Sequence, residues 1–227
     1  MHKTLYLLFL IASMRGAAQQ HVYVTIETNF GSMILQLSNR TPMHRNNFIK
    51  LVQQHYFDST VFHRVVPAFV IQGGEPDSLF TTPADTAELM QQRLAAEFDS
   101  TLFHKRGALG MGRDANPLKA SFFTQFYIVQ GRTYTDAQLD SVQVKRLKGR
   151  RIRPERREVY KSIGGTPQLD GDYTIFGEVV KGLEVLDIIS KVKTSNEAPL
   201  QPVWMKLRLL DTAAASKLEN QLENSDR

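Results

Sequence analysis

Apolar and polar residues alternate through residues 22–37 in two runs, VYVTIET and SMILQL. Val22, Val24 and Ile26 share one face of the first run, and Met33, Leu35 and Leu37 share one face of the second. A period of two marks a half-buried strand, so the pair predicts a hairpin turning between Asn29 and Ser32. The period then changes. After Thr41-Pro42, the residues Phe48, Leu51 and Val52 recur at helical spacing. That predicts a helix up to His55 with Pro42 in its first turn, where a missing N–H leaves no bond unmade. Residues 60–72 return to strand character, broken into two by Pro67 and Ala68, and 74–105 are loop-like apart from a short helix near 87–96. Strand patterns recur at 107–111, 125–130, 169–180 and 202–211, with a second amphipathic helix over 182–190.

Short strands separated by turn residues, with only two helices of any length, predict a mainly β fold. We expect a closed antiparallel barrel rather than a parallel α/β sheet. A chain of 227 residues suits one such domain with additions. From Gly131 to about Gly164 a polar, basic segment interrupts the barrel pattern. Between Lys145 and Lys161 it carries nine Lys or Arg against Glu155 and Glu158, with Leu139, Val142, Val144 and Leu147 at loosely helical spacing. The expectation is a helical insert over 131–164. Its charges 145–161 either line a solvated helix face or dock an acidic partner or an anionic surface. Residues 213–227 read as a polar tail, a frayed helix or disordered.

Composition narrows the possibilities. A 42% hydrophobic content is ordinary for a globular protein. The chain has no cysteine, which excludes a disulfide framework and a thiolate zinc site. Its net charge of +5 includes Lys3 and Arg15, and the balance is too mild for a nucleic-acid binder, so no such partner is expected. Residues 1–18 follow the pattern of an export signal: Lys3, then the apolar stretch Leu5 to Ala12, then Gly16-Ala17-Ala18. That stretch is far below the ~20 residues needed to span a bilayer, so no transmembrane segment is expected. The expected domain therefore covers 19–212, exported to the periplasm or beyond. Nothing demands more than a monomer.

Candidate chemistry concentrates in residues 62–74, FHRVVPAFVIQGG. A permanent cation, Arg64, stands among Phe62, Val66, Phe69, Val70 and Ile71, with the neutral amide of Gln72 eight residues on. A guanidinium cannot lose its charge and offers several donors in a rigid fork, so it polarises a bound group rather than shuttling protons. This run resembles the signature of the cyclophilins, the peptidyl-prolyl cis/trans isomerases. The blocks TPMHRNNFIKLVQQHYFDSTVFHRVVPAFVIQGGE, GALGMGR…TQFYI and GGTPQLDGDYTIFGEVVKGLEVLD extend the likeness over roughly residues 22–211, excluding the insert.

The resemblance implies an eight-stranded barrel capped by two α-helices, isomerase activity on proline-containing polypeptides, and no cofactor or metal. It places the catalytic arginine at Arg64 and the substrate contacts at Phe69, Val70, Gln72, Met111, Gly112, Gln125, Tyr127, Leu169 and Tyr173. The chain departs from the family pattern in several places. Tyr127 replaces the usual phenylalanine of the pocket floor, adding a hydroxyl that needs a partner if buried. Gln168 and Tyr173 stand where some members have tryptophan and histidine, and Ser121-Phe122-Phe123 precedes Thr124.

Other chemistry is poorly supported. None of the six histidines pairs with a nearby acid at metal-ligand spacing. His63 is expected to make a structural hydrogen bond on the strand face opposite Arg64. Asp170-Gly171 reads as a turn rather than a calcium loop, GALGMG fails both phosphate-loop spacings, and no Gly-x-Ser-x-Gly element is present. A non-catalytic proline-peptide-binding or chaperone module on the same barrel is the alternative to an isomerase, and an adaptor acting through the insert is compatible with either.

Overall fold

A computed structural model describes residues 21–76 and 92–225. The expected export signal and residues 87–91 of the expected short helix lie outside them. Eight strands form one antiparallel sheet: β1 (Val22–Thr28), β2 (Gly31–Leu37), β4 (Arg64–Val66), β5 (Val70–Gly73), β8 (Ala108–Met111), β10 (Phe126–Val129), β11 (Ile175–Lys181) and β14 (Met205–Leu209). Their order is β14-β1-β2-β11-β8-β10-β5-β4, and β3 (Thr60–Val61) pairs separately with β6 (Glu75–Pro76). The first hairpin lies where the alternation predicts it, with Val22 opposite Leu37 and Thr28 opposite Gly31.

The sheet curls but does not close as a ladder, which corrects the expected closed barrel. Its end strands β4 and β14 share no register. The Phe62 N–H donates to the Val203 carbonyl at 2.9 Å, and a bridge pairs Val61 with Trp204. The reason is local. Strand β4 is three residues long and is followed directly by Pro67, while Pro202 precedes the other edge. Proline has no N–H to give a ladder.

Strand alternation decides which side chains enter the core. Val65, Ile71, Leu109, Met111, Phe126 and Ile128 point inward with Val24, Ile26, Met33, Leu35 and Leu37. Helix α1 (Pro42–Gln53) adds Phe48, Leu51 and Val52, and Pro42 sits in its first turn as the sequence predicts. Helix α4 (Leu183–Ile189) adds Val185, Leu186 and Ile189. Phe48 is the hub, with ring centroids 5.2 Å from Phe57 and Phe176 and 5.4 Å from Phe126 in tilted or edge-on contacts, the geometry aromatic quadrupoles favour.

The outward-pointing residues of β5, β8 and β10 form a second apolar cluster of Val70, Ala108, Tyr127 and Val129, joined by Ile175, Phe69, Leu169 and Tyr173. This outer face carries the candidate site.

Two local expectations change. Arg93–Leu94, inside the expected short helix, is strand β7, paired with β9 (Ser121–Phe122), and the Arg93 guanidinium stacks on Phe122 at 4.5 Å. Tertiary pairing overrides the local helical pattern there. Helix α5 (Thr212–Ser225) covers most of the expected tail, and it is docked rather than frayed: Ala215 and Leu218 pack on Tyr23 against the outer face of β1. Ala215 and Leu218 lie three apart on one helix face over Tyr23, a spacing that composition alone does not reveal.

The insert is helical, as expected. Helix α2 (Asp136–Lys145) opens with a capping box, in which the Thr135 hydroxyl accepts from the Gln138 N–H and the Gln138 side chain accepts from the Thr135 N–H. Helix α3 (Pro154–Ser162) follows. Tyr134, Leu139, Leu147, Ile152 and Tyr160 form a small core between them. Many of the positive charges are used internally. Arg157 reaches Asp136 and Asp140 at 2.9 and 2.7 Å, and Lys161 reaches Asp136 at 2.9 Å.

Candidate active site

Sheet register builds the site. Arg64 on β4 lies opposite Gln72 on β5, Gln72 lies opposite Tyr127 on β10, and Tyr127 lies opposite Gly110 on β8. One row of outward-facing positions therefore runs across four strands, with side chains on three of them and Gly110 on the fourth. Around it lies a cavity of about 150 Å³ lined by Arg64, Phe69, Val70, Gln72, Gly112, Arg113, Tyr127, Leu169 and Tyr173. Leu169 arrives on the 3-10 turn Pro167–Leu169, just beyond the insert.

Nearly all the residues expected at the site therefore meet. Met111 does not: it is fully buried in the main core. Alternation along β8 turns it inward, while its neighbour Gly112 lines the cavity and Gly110 lies under the Tyr127 ring. Gln125 stands one hydrogen bond behind the lining, accepting from Gln72 Nε2 at 2.7 Å and donating onward to Glu75. His63 is off the lining, and its Nδ1 has no partner among the described residues, against the expected hydrogen bond.

Arg64 is anchored on two sides. Its Nε donates to Glu197 Oε2 at 2.6 Å and its Nη1 to Gln72 Oε1 at 3.2 Å, while its guanidinium lies 5.9 Å from the Phe69 ring centre. The remaining guanidinium N–H groups stay available beside the apolar slot. Glu197 comes from the turn between β12 (Thr194–Ser195) and β13 (Ala198–Pro199), and the Val65 N–H donates to its carbonyl at 2.7 Å. Its partnership with Arg64 spans 133 positions, and nothing in the sequence signals it.

Arg113, also absent from the expected set, donates through Nε to the Asp172 carbonyl and lies 4.7 Å from the Tyr173 ring centre. It follows Gly112 directly in the GALGMGR block, so its place could have been found there.

The Tyr127 hydroxyl has found its partner. It lies 2.8 Å from His104 Nε2, His104 Nδ1 lies 2.8 Å from Asp170 Oδ1, and Asp170 Oδ2 accepts from the Tyr160 hydroxyl at 2.8 Å. The His104 backbone N–H also donates to Asp170, at 2.9 Å. Burial pushes the Asp170 carboxyl up, but the His104 contacts and the Tyr160 hydroxyl outweigh it and hold the group below its ordinary range. Burial, aided by Tyr173 and Asp170, pushes the Tyr127 hydroxyl well above its usual value. Gly110 makes room for this tyrosine, since a Cβ there would land on the Tyr127 ring and hydroxyl.

The family model described as "Cyclophilin type peptidyl-prolyl cis-trans isomerase/CLD" matches residues 23–207. The chain belongs to the cyclophilin family. The peptidyl-prolyl cis-trans isomerase A of Dickeya dadantii is 31% identical to this cyclophilin over 202 residues, 88% of each chain. The peptidyl-prolyl cis-trans isomerase of Acinetobacter baylyi is 29% identical over 193 residues, covering 82% of this chain and 84% of that one. A putative bifunctional phosphatase/peptidyl-prolyl cis-trans isomerase of Streptococcus pyogenes is 35% identical over 174 residues. The match takes in 75% of this cyclophilin but only 34% of that longer protein.

The fold is shared with a crystal structure of a cyclophilin-type isomerase from Cryptosporidium parvum, with a TM-score of 0.61 at 22% identity over 85% of this chain and 99% of that one. No helix among the described residues is long and apolar enough to cross a membrane.

Proposed function

We propose that this cyclophilin accelerates the cis/trans rotation of X-Pro bonds in exported polypeptides and so assists their folding. The observation that carries the activity is Arg64, held by Glu197 and Gln72 at the mouth of an apolar slot of about 150 Å³. Prolyl rotation costs ~18–20 kcal/mol because amide resonance is lost in the twisted state, which leaves the uncatalysed step at tens to hundreds of seconds. No bond is made or broken, so the site has only to favour the twisted geometry over both planar ones.

Phe69, Val70, Tyr127 and Leu169 receive the pyrrolidine ring. The free Arg64 donors address the prolyl nitrogen, whose lone pair localises as resonance breaks, or the carbonyl oxygen. Gln72 holds the fork in place, and its own link through Gln125 to Glu75 fixes its orientation. A related Cryptosporidium parvum cyclophilin was crystallised in the presence of the dipeptide Ala-Pro, which accords with a proline ligand here.

A preorganised donor aimed at developing charge is worth ~10²–10³ in rate when removed. Arg64→Ala is therefore expected to fold normally and to lose about that factor in a protease-coupled assay on a cis-Pro tetrapeptide. Turnover near the wild-type level would overturn the mechanism and leave the alternative, a proline-binding or chaperone module that needs the slot but not the cation.

The export component rests on the charge and apolar pattern of residues 1–18. An acidic client would meet Lys145, Arg146, Lys148 and Arg151 of the insert, which are exposed and have no ion-pair partner among the described residues. Such docking would weaken steeply between low and physiological salt.

A further inference from the structure

We infer that Tyr160 of the insert is a positioning residue for the proline slot, acting through Asp170 and His104 to hold the Tyr127 hydroxyl out of it. The inference rests on the isomerase reading above and concerns how that site is kept apolar.

The direction of each hydrogen bond follows from its neighbours. Asp170 accepts on both oxygens: from the His104 backbone N–H and Nδ1 on Oδ1, and from the Tyr160 hydroxyl on Oδ2. Asp170 is a carboxylate, an acceptor only, so His104 must carry its proton on Nδ1. In the neutral imidazole Nε2 is then an acceptor, and the protonated Tyr127 hydroxyl donates to it at 2.8 Å. The chain of donors runs one way, and the hydroxyl has a single direction in which to point.

The rings reinforce this arrangement. The His104 and Tyr127 planes lie within 11° of parallel, and Tyr173 stands edge-on to both. His104 and Tyr160 are 1% and 0% exposed, so both side chains are shielded from bulk solvent.

The far end of the relay belongs to the insert. Arg156 adds a contact to Asp170 Oδ2 at 3.6 Å, and Arg150 donates to the Asp170 carbonyl at 2.8 Å. Tyr160 also packs edge-on against Phe103, the residue before His104, with ring centroids 5.6 Å apart. Without the Tyr160 donor, Asp170 Oδ2 keeps only the Arg156 contact at 3.6 Å, so the carboxylate can turn and the His104 ring it holds is less firmly placed. The Tyr127 hydroxyl then has reason to turn toward the slot, where a polar group opposes an apolar ring. The insert is thereby a wall of the active site, at one remove, rather than an appendage.

The test is a double-mutant cycle in the full chain, read by turnover of an Ala-Pro tetrapeptide and by ¹⁵N NMR of the imidazoles. Tyr160→Phe is expected to raise KM by about tenfold with kcat changed by less than about twofold, because the slot binds planar and twisted forms alike. In a Tyr127→Phe background, where no hydroxyl needs holding, adding Tyr160→Phe is expected to change KM by less than about twofold. His104 is expected to show the Nδ1-protonated tautomer in both the wild type and Tyr160→Phe, because Asp170 accepts from Nδ1 in each. An equal rise in KM in both backgrounds would reduce Tyr160 to a brace and overturn the inference, as would no rise in either, or a wild-type His104 protonated on Nε2. A wild type that fails to turn over X-Pro peptides would instead sink the isomerase reading, and the tautomer measurement alone would then decide this one.

Discussion

At the scale of single residues, the pocket floor shows how one substitution demands others. A tyrosine at 127 brings a hydroxyl and a longer ring axis, and the chain answers with His104 at one end and Gly110 beneath. The space at Gly110 is taken by ring carbons as well as by the oxygen. Gly110→Ala is therefore expected to destabilise by ~1–3 kcal/mol through overpacking, and to lose turnover as the ring is pushed into the slot. Denaturant melts and the peptide assay would check both, and adding Tyr127→Phe should not rescue either.

The sequence made most of this site legible, because Arg64, Phe69, Val70 and Gln72 lie in one run and their strand spacing already aims them together. What it hid were partners that depend on the fold: Glu197 beside Arg64, and Tyr160 behind Asp170. Met111 illustrates the opposite error. Its position in the motif was readable, but the pleat decides which side of the sheet it serves.

At the scale of elements, the hairpin β12–β13 carries strain where the site needs precision. Its two turn residues, Asn196 and Glu197, both have positive φ, +48° and +67°. A two-residue turn of that kind favours Asn-Gly, and a side chain at the second position is disfavoured by ~1–2 kcal/mol. The glutamate there holds Arg64. Glu197→Gly is thus expected to raise the unfolding midpoint while lowering kcat/KM about threefold to fivefold, the scale of a partly exposed ion pair. A variant that gains stability and keeps full activity would show that Gln72 suffices to place the guanidinium.

Elements with strong periodicity, such as β1, β2 and α1, were readable from local pattern. Strand β7 and helix α5 were not, since each takes its form from a partner distant in sequence, Phe122 and Tyr23 respectively.

At the scale of the whole molecule, the titrating groups define a plateau of stability. Burial pulls His44 below its ordinary 6.5 despite Glu97, and burial also lowers His63 against the pull of Glu75. A depressed histidine contributes fully above about 6.5, and the contribution is lost as pH falls toward the folded value. Asp58, held down chiefly by Arg208, and Asp170 act in the same direction, below about pH 4. On the alkaline side, burial and Glu219 push Tyr23 up to about 12, and burial raises Tyr160 as well. Those contributions are complete below about 10 and are lost above it. Thermal unfolding followed by circular dichroism should therefore give a Tm that is level from about pH 6.5 to 10 and falls on both sides. A maximum below pH 6 would contradict this assignment.

Helix α5 gives the outer wall of the sheet two unlike halves. Over β1 and its neighbours the chain roofs its own apolar surface with Ala215 and Leu218, while over β5 and β10 Phe69, Leu169 and Tyr173 wall that surface and leave the slot between them. A travelling proline therefore meets its berth at one end of this wall, and the final helix, far from the chemistry, keeps the strip over β1 from offering a false one.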